Sequence, residues 1–214
     1  MICVAISDKN PEKCIEILGK VEMAEIRLDL TEYTDEDTKK VFSTSTRCIA
    51  TCRPDKMGLD KQYEMLKIAM EAGAAYVDIE IEAPKEQQEK LIKVAKANNT
   101  RIIISYHNYD KTPSIDELLK IVKDCYSMGA DIAKVAVQAN SQKDTAKVMA
   151  LYSADKPVVA LAMGEFGKIS RLIAPMLGAE FTFASTDEGV GTAPGQITYS
   201  KMIEARSFYS KMMI

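Results

Sequence analysis

Short apolar runs alternate along the chain with longer segments in which apolar residues recur every three or four positions. The runs Ile2–Ile6, Met23–Asp29, Cys48–Cys52, Tyr76–Ile81, Ile102–His107, Ile132–Val137, Val158–Met163 and Glu180–Ala184 have strand length. They are apolar throughout or nearly so, which predicts parallel strands covered on both faces. The segments between them predict helices, and these carry their own start and stop signals. Asn10-Pro11 offers an N-cap followed by proline at the first helical position, where its missing N–H costs nothing. Ser114 with Glu117 has the spacing of a capping box, and Thr34 with Asp37 and Ser141 with Asp144 repeat it with a shorter acid. Gly73-Ala74, Gly129-Ala130 and Gly178-Ala179 each stand between a helix and a strand, with glycine supplying the left-handed residue that ends the helix.

A helix–Gly-Ala–strand unit reused in this way predicts a wound βα array. Eight strands, seven intervening helices and a terminal helix fit a single (β/α)8 TIM barrel, with residues 1–214 forming one catalytic domain. The chain is shorter than the ~250 residues typical of that fold, so its loops must be economical. An open doubly wound sheet is the alternative that the pattern leaves.

Composition narrows the function classes. A hydrophobic content of 47% suffices for one substantial core, and the net charge of −3 argues against a nucleic-acid surface, which needs clustered basic residues. Lysines recur beside acids, as in Lys85-Glu86 and Glu89-Lys90, the pattern of solvated helix faces. No run approaches the ~20 apolar residues of a membrane span, and Met1–Ile6 is too short for a signal sequence core. The five cysteines are scattered without a Cys-x-x-Cys pair, so a reduced, cytoplasmic protein is expected.

The active site of such a barrel lies at the C-terminal ends of its strands, so polar residues late in each apolar run are the candidates. Ser7 follows the first run. Glu25, Arg27 and Asp29 alternate along the second and would share one face. Arg53 follows the third, Asp78 and Glu80 alternate in the fourth, and Ser105 and His107 alternate in the fifth. Lys134 lies inside the sixth, Met163 ends the seventh, and Ser185 closes the eighth. His107 is the only histidine, which effectively excludes a zinc hydrolase. A magnesium ion on Asp78 or Asp131 has no motif behind it, and no metal or cofactor is expected.

Lys134 is the sharper signal, because Ile132, Ala133, Val135, Ala136 and Val137 surround it. Desolvation lowers a lysine pKa, and a neutral, nucleophilic amine is the expected result. The alternatives are a lysine that snorkels to the rim or pairs with Asp131. Glu25 and Arg27 admit a reading as a buried ion pair that only organises the interior. Arg53 and Arg171 offer planar guanidinium groups suited to clamping a carboxylate, while the glycines of Gly164–Gly167 could instead cradle a phosphate.

These residues together resemble the type I 3-dehydroquinate dehydratase family, along the whole chain. The resemblance rests on Glu25-Ile26-Arg27-Leu28-Asp29, Thr51-Cys52-Arg53, Asp78-Ile79-Glu80, Ser105-Tyr106-His107-Asn108-Tyr109 and Asp131–Ala136. It continues through Met163-Gly164, Ser170-Arg171 and Ala193-Pro194-Gly195-Gln196. It implies a barrel lyase in which Lys134 forms a Schiff base with the C3 ketone of 3-dehydroquinate and His107 is the acid–base group. It further implies that Arg171, with Gln196 and Thr192, binds the C1 carboxylate. Glu25, Arg27 and Arg53 would hold the ring hydroxyls, Met163 and Phe183 would pack on the ring, and Ser7 would belong to the same substrate site. A homodimer acting in the shikimate pathway is implied, and the tail Tyr209–Ile214 is a candidate contact.

The sequence departs from the family pattern in three places. Met57 stands where a glutamate commonly orients the histidine, so either Glu80 or another group takes over that role, or His107 is held less tightly and its pKa differs. The loop Asp187–Gly191 is longer than usual, with Gly189 and Gly191 giving hinge freedom, and Thr192 replaces a common serine. The chain starts directly in the first strand, without the β-hairpin that often covers the barrel floor, so side chains are expected to plug it. A Schiff-base aldolase and a non-catalytic binding barrel are the competing readings.

Overall fold

In the computed structural model, which describes residues 1–44, 46–188 and 191–212, eight strands alternate with eight α-helices. The strands are β1 (Ile2–Ile6), β2 (Met23–Arg27), β3 (Arg47–Thr51), β4 (Tyr76–Glu80), β5 (Arg101–Asn108), β6 (Ile132–Gln138), β7 (Val158–Met163) and β8 (Thr182–Ser185). The helices are α1 (Pro11–Leu18), α2 (Asp35–Phe42), α3 (Gly58–Glu71), α4 (Lys85–Ala97), α5 (Ile115–Ser127), α6 (Gln142–Met149), α7 (Lys168–Ile173) and α8 (Tyr199–Met212). All ladders are parallel and run β7-β6-β5-β4-β3-β2-β1-β8. The strands therefore follow one another around a (β/α)8 TIM barrel, and no reversal point of a doubly wound sheet occurs. Among the described residues no ladder joins β7 to β8. There α7 ties the two edges: Ser170 Oγ accepts from the Ala162 N–H (3.0 Å), and Thr182 Oγ1 donates to the Arg171 carbonyl (2.8 Å).

Period-two alternation divides each strand. Val4, Ala24, Ala50, Val77, Ile104 and Val135 point outward into the core beneath the helices. Met23, Ile49, Tyr76, Ile103, Ile132 and Phe181 point inward and fill the lower barrel. The helix signals hold as well. Asn10 accepts from the N–H groups of Glu12 and Lys13, and Thr34/Asp37 and Ser114/Glu117 form reciprocal capping boxes. Gly178, at φ 102°, makes the left-handed exit before β8. No helix among the described residues is long and apolar enough to cross a membrane.

Three strands are shorter than expected, β4 by one residue, ending at Glu80. β2 stops at Arg27 because the chain turns there, with Leu30 N–H donating to the Arg27 carbonyl (2.8 Å), so Asp29 leaves the strand face. β8 begins at Thr182, leaving Glu180 at the barrel floor. There the Arg101 guanidinium donates to both Glu180 oxygens, and Tyr76 Oη donates to Glu180 Oε1 (2.8 Å). Phe181 meets the Tyr76 ring edge-on beneath them.

Candidate active site

At the other end of the barrel, inward positions that are apolar below become polar. Lys134, in the middle of β6, has a side chain only 6% exposed. Its Nζ donates to Asp78 Oδ2 at 2.8 Å and to Glu25 Oε1 at 3.3 Å, and it lies 4.6 Å from the centre of the Phe183 ring. Asp78 Oδ1 accepts from Ser105 Oγ (2.6 Å) and Arg53 Nη2 (2.9 Å), while Thr51 Oγ1 donates to Glu25 (3.0 Å). A buried ammonium is tolerated only with such compensation.

The electrostatics correct the expectation of a neutral amine. Burial pulls the Lys134 pKa down, but Asp78 and then Glu25 outweigh it, and the net shift is upward. Burial acts against ionisation of Asp78 too, yet Arg53 and Lys134 hold its carboxyl well below the usual range. The resting group is therefore a charged ammonium. Its partners do not include Asp131, considered in the alternative reading, which accepts instead from the Ile102 N–H (2.7 Å). Arg27 does not pair with Glu25; it grips Asp29 with Nε (3.0 Å) and Nη2 (2.7 Å).

His107 lies one pleat beyond Ser105 on the same face of β5, and the two pair with Ala136 and Lys134 of β6. Burial, then the cations Lys134 and Arg53, push its pKa down to about 3, so the imidazole is neutral. Among the described residues no hydrogen bond reaches the ring; it stacks instead on Tyr109, with planes 12° apart and centres 6.2 Å apart. Glu80 is engaged by Arg53 Nε (3.5 Å) and does not orient the histidine. Met57 packs on the outer core, accepting from the Cys52 thiol (3.3 Å).

Arg171, carried by α7, closes the far side of the pocket and is 1% exposed. Its Nε donates to the Gly195 carbonyl (3.2 Å), Nη2 to Pro194 (3.4 Å) and Nη1 to Phe183 (3.5 Å). Among the described residues it hydrogen-bonds to no carboxylate, and burial lowers its pKa to about 10. Arg53 Nη1 is likewise buried without a partner among the described residues. Gln196 braces the adjoining loop, its Oε1 accepting from the N–H groups of Thr192 (2.6 Å) and Ala193 (3.3 Å).

One pocket thus collects Glu25, Arg27, Arg53, His107, Lys134, Met163, Arg171, Phe183, Thr192 and Gln196. Ser7 is not among its lining residues. It lines a separate crevice with α1 and α8 residues, because the chain leaves β1 at Ile6. Thr51, Tyr109 and Leu161 line the pocket without having been singled out. Asp78 was noted as a polar strand residue, a magnesium ligand without a motif and part of the family resemblance, but was given no role beside Lys134. The glycine loop is not an open phosphate cradle. The Gly164 N–H donates to the Pro194 carbonyl (3.3 Å), and Gly167 packs so tightly on Ala162 that a Cβ would collide with its backbone. Of the loop glycines with expected hinge freedom, Gly189 lies outside the described residues.

Comparison with known proteins places the fold and the family. The profile of the type I 3-dehydroquinase family matches residues 2–213. A 3-dehydroquinate dehydratase of Methanococcus vannielii is 35% identical over 218 residues, spanning 95% of this chain and 97% of its own length. The crystal structure of the 3-dehydroquinate dehydratase from Aquifex aeolicus VF5 superposes with a TM-score of 0.80 at 27% identity, covering 98% of each chain. That of a type I 3-dehydroquinate dehydratase from Clostridium difficile gives 0.86 at 24% identity, covering 99% of this chain and 92% of the other.

Proposed function

The chain belongs to the type I 3-dehydroquinase family, and from that premise we propose that it removes water from 3-dehydroquinate in a syn sense, through an imine on Lys134, to give 3-dehydroshikimate. Residues 1–214 act as one catalytic unit of the shikimate pathway. Lys134 condenses with the C3 ketone, and the protonated imine serves as an electron sink. His107 removes a C2 proton, which its neutral state permits, and returns a proton to the departing C1 hydroxyl. Glu25, Arg27 and Arg53 hold the ring hydroxyls, while Met163 and Phe183 pack on the ring.

The observation that carries the reading is Arg171. A buried guanidinium satisfied by three main-chain carbonyls, with no carboxylate in hydrogen-bonding contact among the described residues, is a site for a carboxylate brought by the substrate. Thr192 and Gln196 shape the loop that faces it. The filled backbone of the Gly164–Gly167 turn disfavours the phosphorylated substrates of a Schiff-base aldolase. The reading includes a cytoplasmic homodimer, to be tested by sedimentation. Met213 and Ile214 of the expected contact tail lie outside the described residues.

The test is borohydride treatment of the protein with 3-dehydroquinate, followed by intact mass and peptide mapping. An adduct on Lys134 is the expected result. An unchanged mass in folded protein would overturn the imine and bring the binding-barrel reading forward.

A further inference from the structure

The groups around Lys134 come from different parts of the barrel: the charged Glu25 from β2, Arg53 after β3 and Asp78 from β4, and the neutral His107 from β5 and Cys3 thiol from β1. Two of these are anions in contact with Nζ, and they are not equivalent. Asp78 Oδ2 is the nearer, at 2.8 Å against 3.3 Å for Glu25 Oε1. Its other oxygen is occupied by Ser105 Oγ and Arg53 Nη2, which fixes the carboxylate with Oδ2 aimed at the amine. Glu25 lines the pocket and is assigned above to substrate hydroxyls, whereas Asp78 lies behind Lys134 and is not among the pocket-lining residues.

We propose that Asp78 is a further catalytic residue, whose fixed carboxylate holds the Lys134 nitrogen cationic both before and after substrate attachment and so favours the protonated imine over the free amine. The inference rests on the imine reading above. The balance of that step explains why a fixed anion serves it. An ammonium and a ketone give a protonated imine and one water: the N–C bond forms, the C–O bond breaks, and the oxygen leaves with two of the ammonium's protons. The nitrogen carries one positive charge at the start and at the end. Asp78 takes up no proton over the step and stays ionised beside Arg53 and Ser105. The contact that slows attack by making the amine less available is the one that keeps the imine protonated while the C2 proton is removed.

The experiment follows the pH dependence of borohydride-trapped adduct at Lys134 with 3-dehydroquinate, alongside steady-state dehydration. In Asp78→Asn the midpoint for adduct formation is expected to fall by about one to three pH units. At any pH above the imine pKa, turnover should drop by about tenfold for each unit that this pKa loses. A purely structural role would lower both rates and leave the midpoint in place; that outcome in folded protein overturns the proposal. Ser105→Ala keeps the carboxylate but removes one of its donors, so its midpoint should move upward. If Asp78→Asn does not fold, a downward or absent shift in Ser105→Ala overturns the proposal by itself. Wild-type protein that yields no adduct removes the imine reading first, which separates the two failures.

Discussion

Two clusters of charge lie on the barrel axis, around Lys134 at the mouth and around Arg101 at the floor, and each sets a cation over an aromatic ring. The distances are similar, 4.6 Å from Lys134 Nζ to the Phe183 centre and 5.2 Å from the Arg101 guanidinium to Tyr76. The floor is complete: one guanidinium, one carboxylate and one phenol satisfy each other with water alongside, since Arg101 is 42% exposed. The mouth is buried and left open. Arg53 has an unpartnered nitrogen among the described residues, and Arg171 meets only carbonyls. Buried polar groups in native proteins are normally paired, so the one unpartnered nitrogen among the described residues, on Arg53, and a guanidinium that meets no carboxylate set this pocket apart from the floor. The same chemical parts thus make a plug at one end and a receptor at the other.

The contrast is broken most severely at Lys134. Lys134→Ala should cut turnover by about 10⁴-fold or more while the circular-dichroism spectrum stays that of a folded barrel, because Asp78 keeps Arg53 and Ser105. A stopped-flow assay of product absorbance would show it, and an active variant would end the assignment. Arg171→Lys retains the charge but loses the planar fork, so KM should rise by roughly 10- to 100-fold with a smaller change in kcat.

His107 ties the mouth to acid stability. Its folded pKa of about 3 lies below the ~6.5 of an unfolded histidine. Between those values the unfolded chain binds a proton that the folded one refuses, so stability falls as pH drops below about 6.5. Asp78, held below its ordinary pKa, adds to that loss once the pH falls beneath about 3.9. His107→Gln should flatten the upper part of this slope in urea titrations, and an unchanged slope would assign it elsewhere. The smallest effect belongs to the floor. Glu180→Gln should cost about 1 kcal/mol or less, a difference reduced by added salt, with kcat/KM unchanged. A loss of activity there would mean that the two ends are coupled.

The strands were legible because parallel strands covered on both faces leave continuous apolar runs, and His107 and Lys134 stood out as residues foreign to those runs. Their partners were not legible. The strongest contact of Lys134 is to Asp78, 56 positions away, and it depends on how strands stagger around the barrel. Periodicity fixes a face but not what the face meets, so the only partner the sequence suggested, in an alternative reading, was the neighbouring Asp131. The direction of the lysine shift went wrong for the same reason: desolvation is visible in the flanking residues, compensating charge is not. Ser7 differs from the other candidates: it too sits just past a strand end, but it lines the crevice beside α1 and not the pocket that collects the rest.

The seam between β7 and β8 has a mechanical consequence. Elsewhere the wall is a continuous ladder, while here it is sewn by α7, through Ser170 on one side and Thr182 on the other. Ser185 on that edge is held by its N–H bond to the Ile197 carbonyl (2.9 Å), so faster amide deuterium uptake than along β5 or β6 should be confined to Phe183 of β8. The same short helix carries Arg171, so an anion seated on it would act as an additional stitch across the cut. Occupancy of the pocket would then be felt as tightened hoop strength of the whole cylinder, read as slower exchange in β8 and a higher melting temperature.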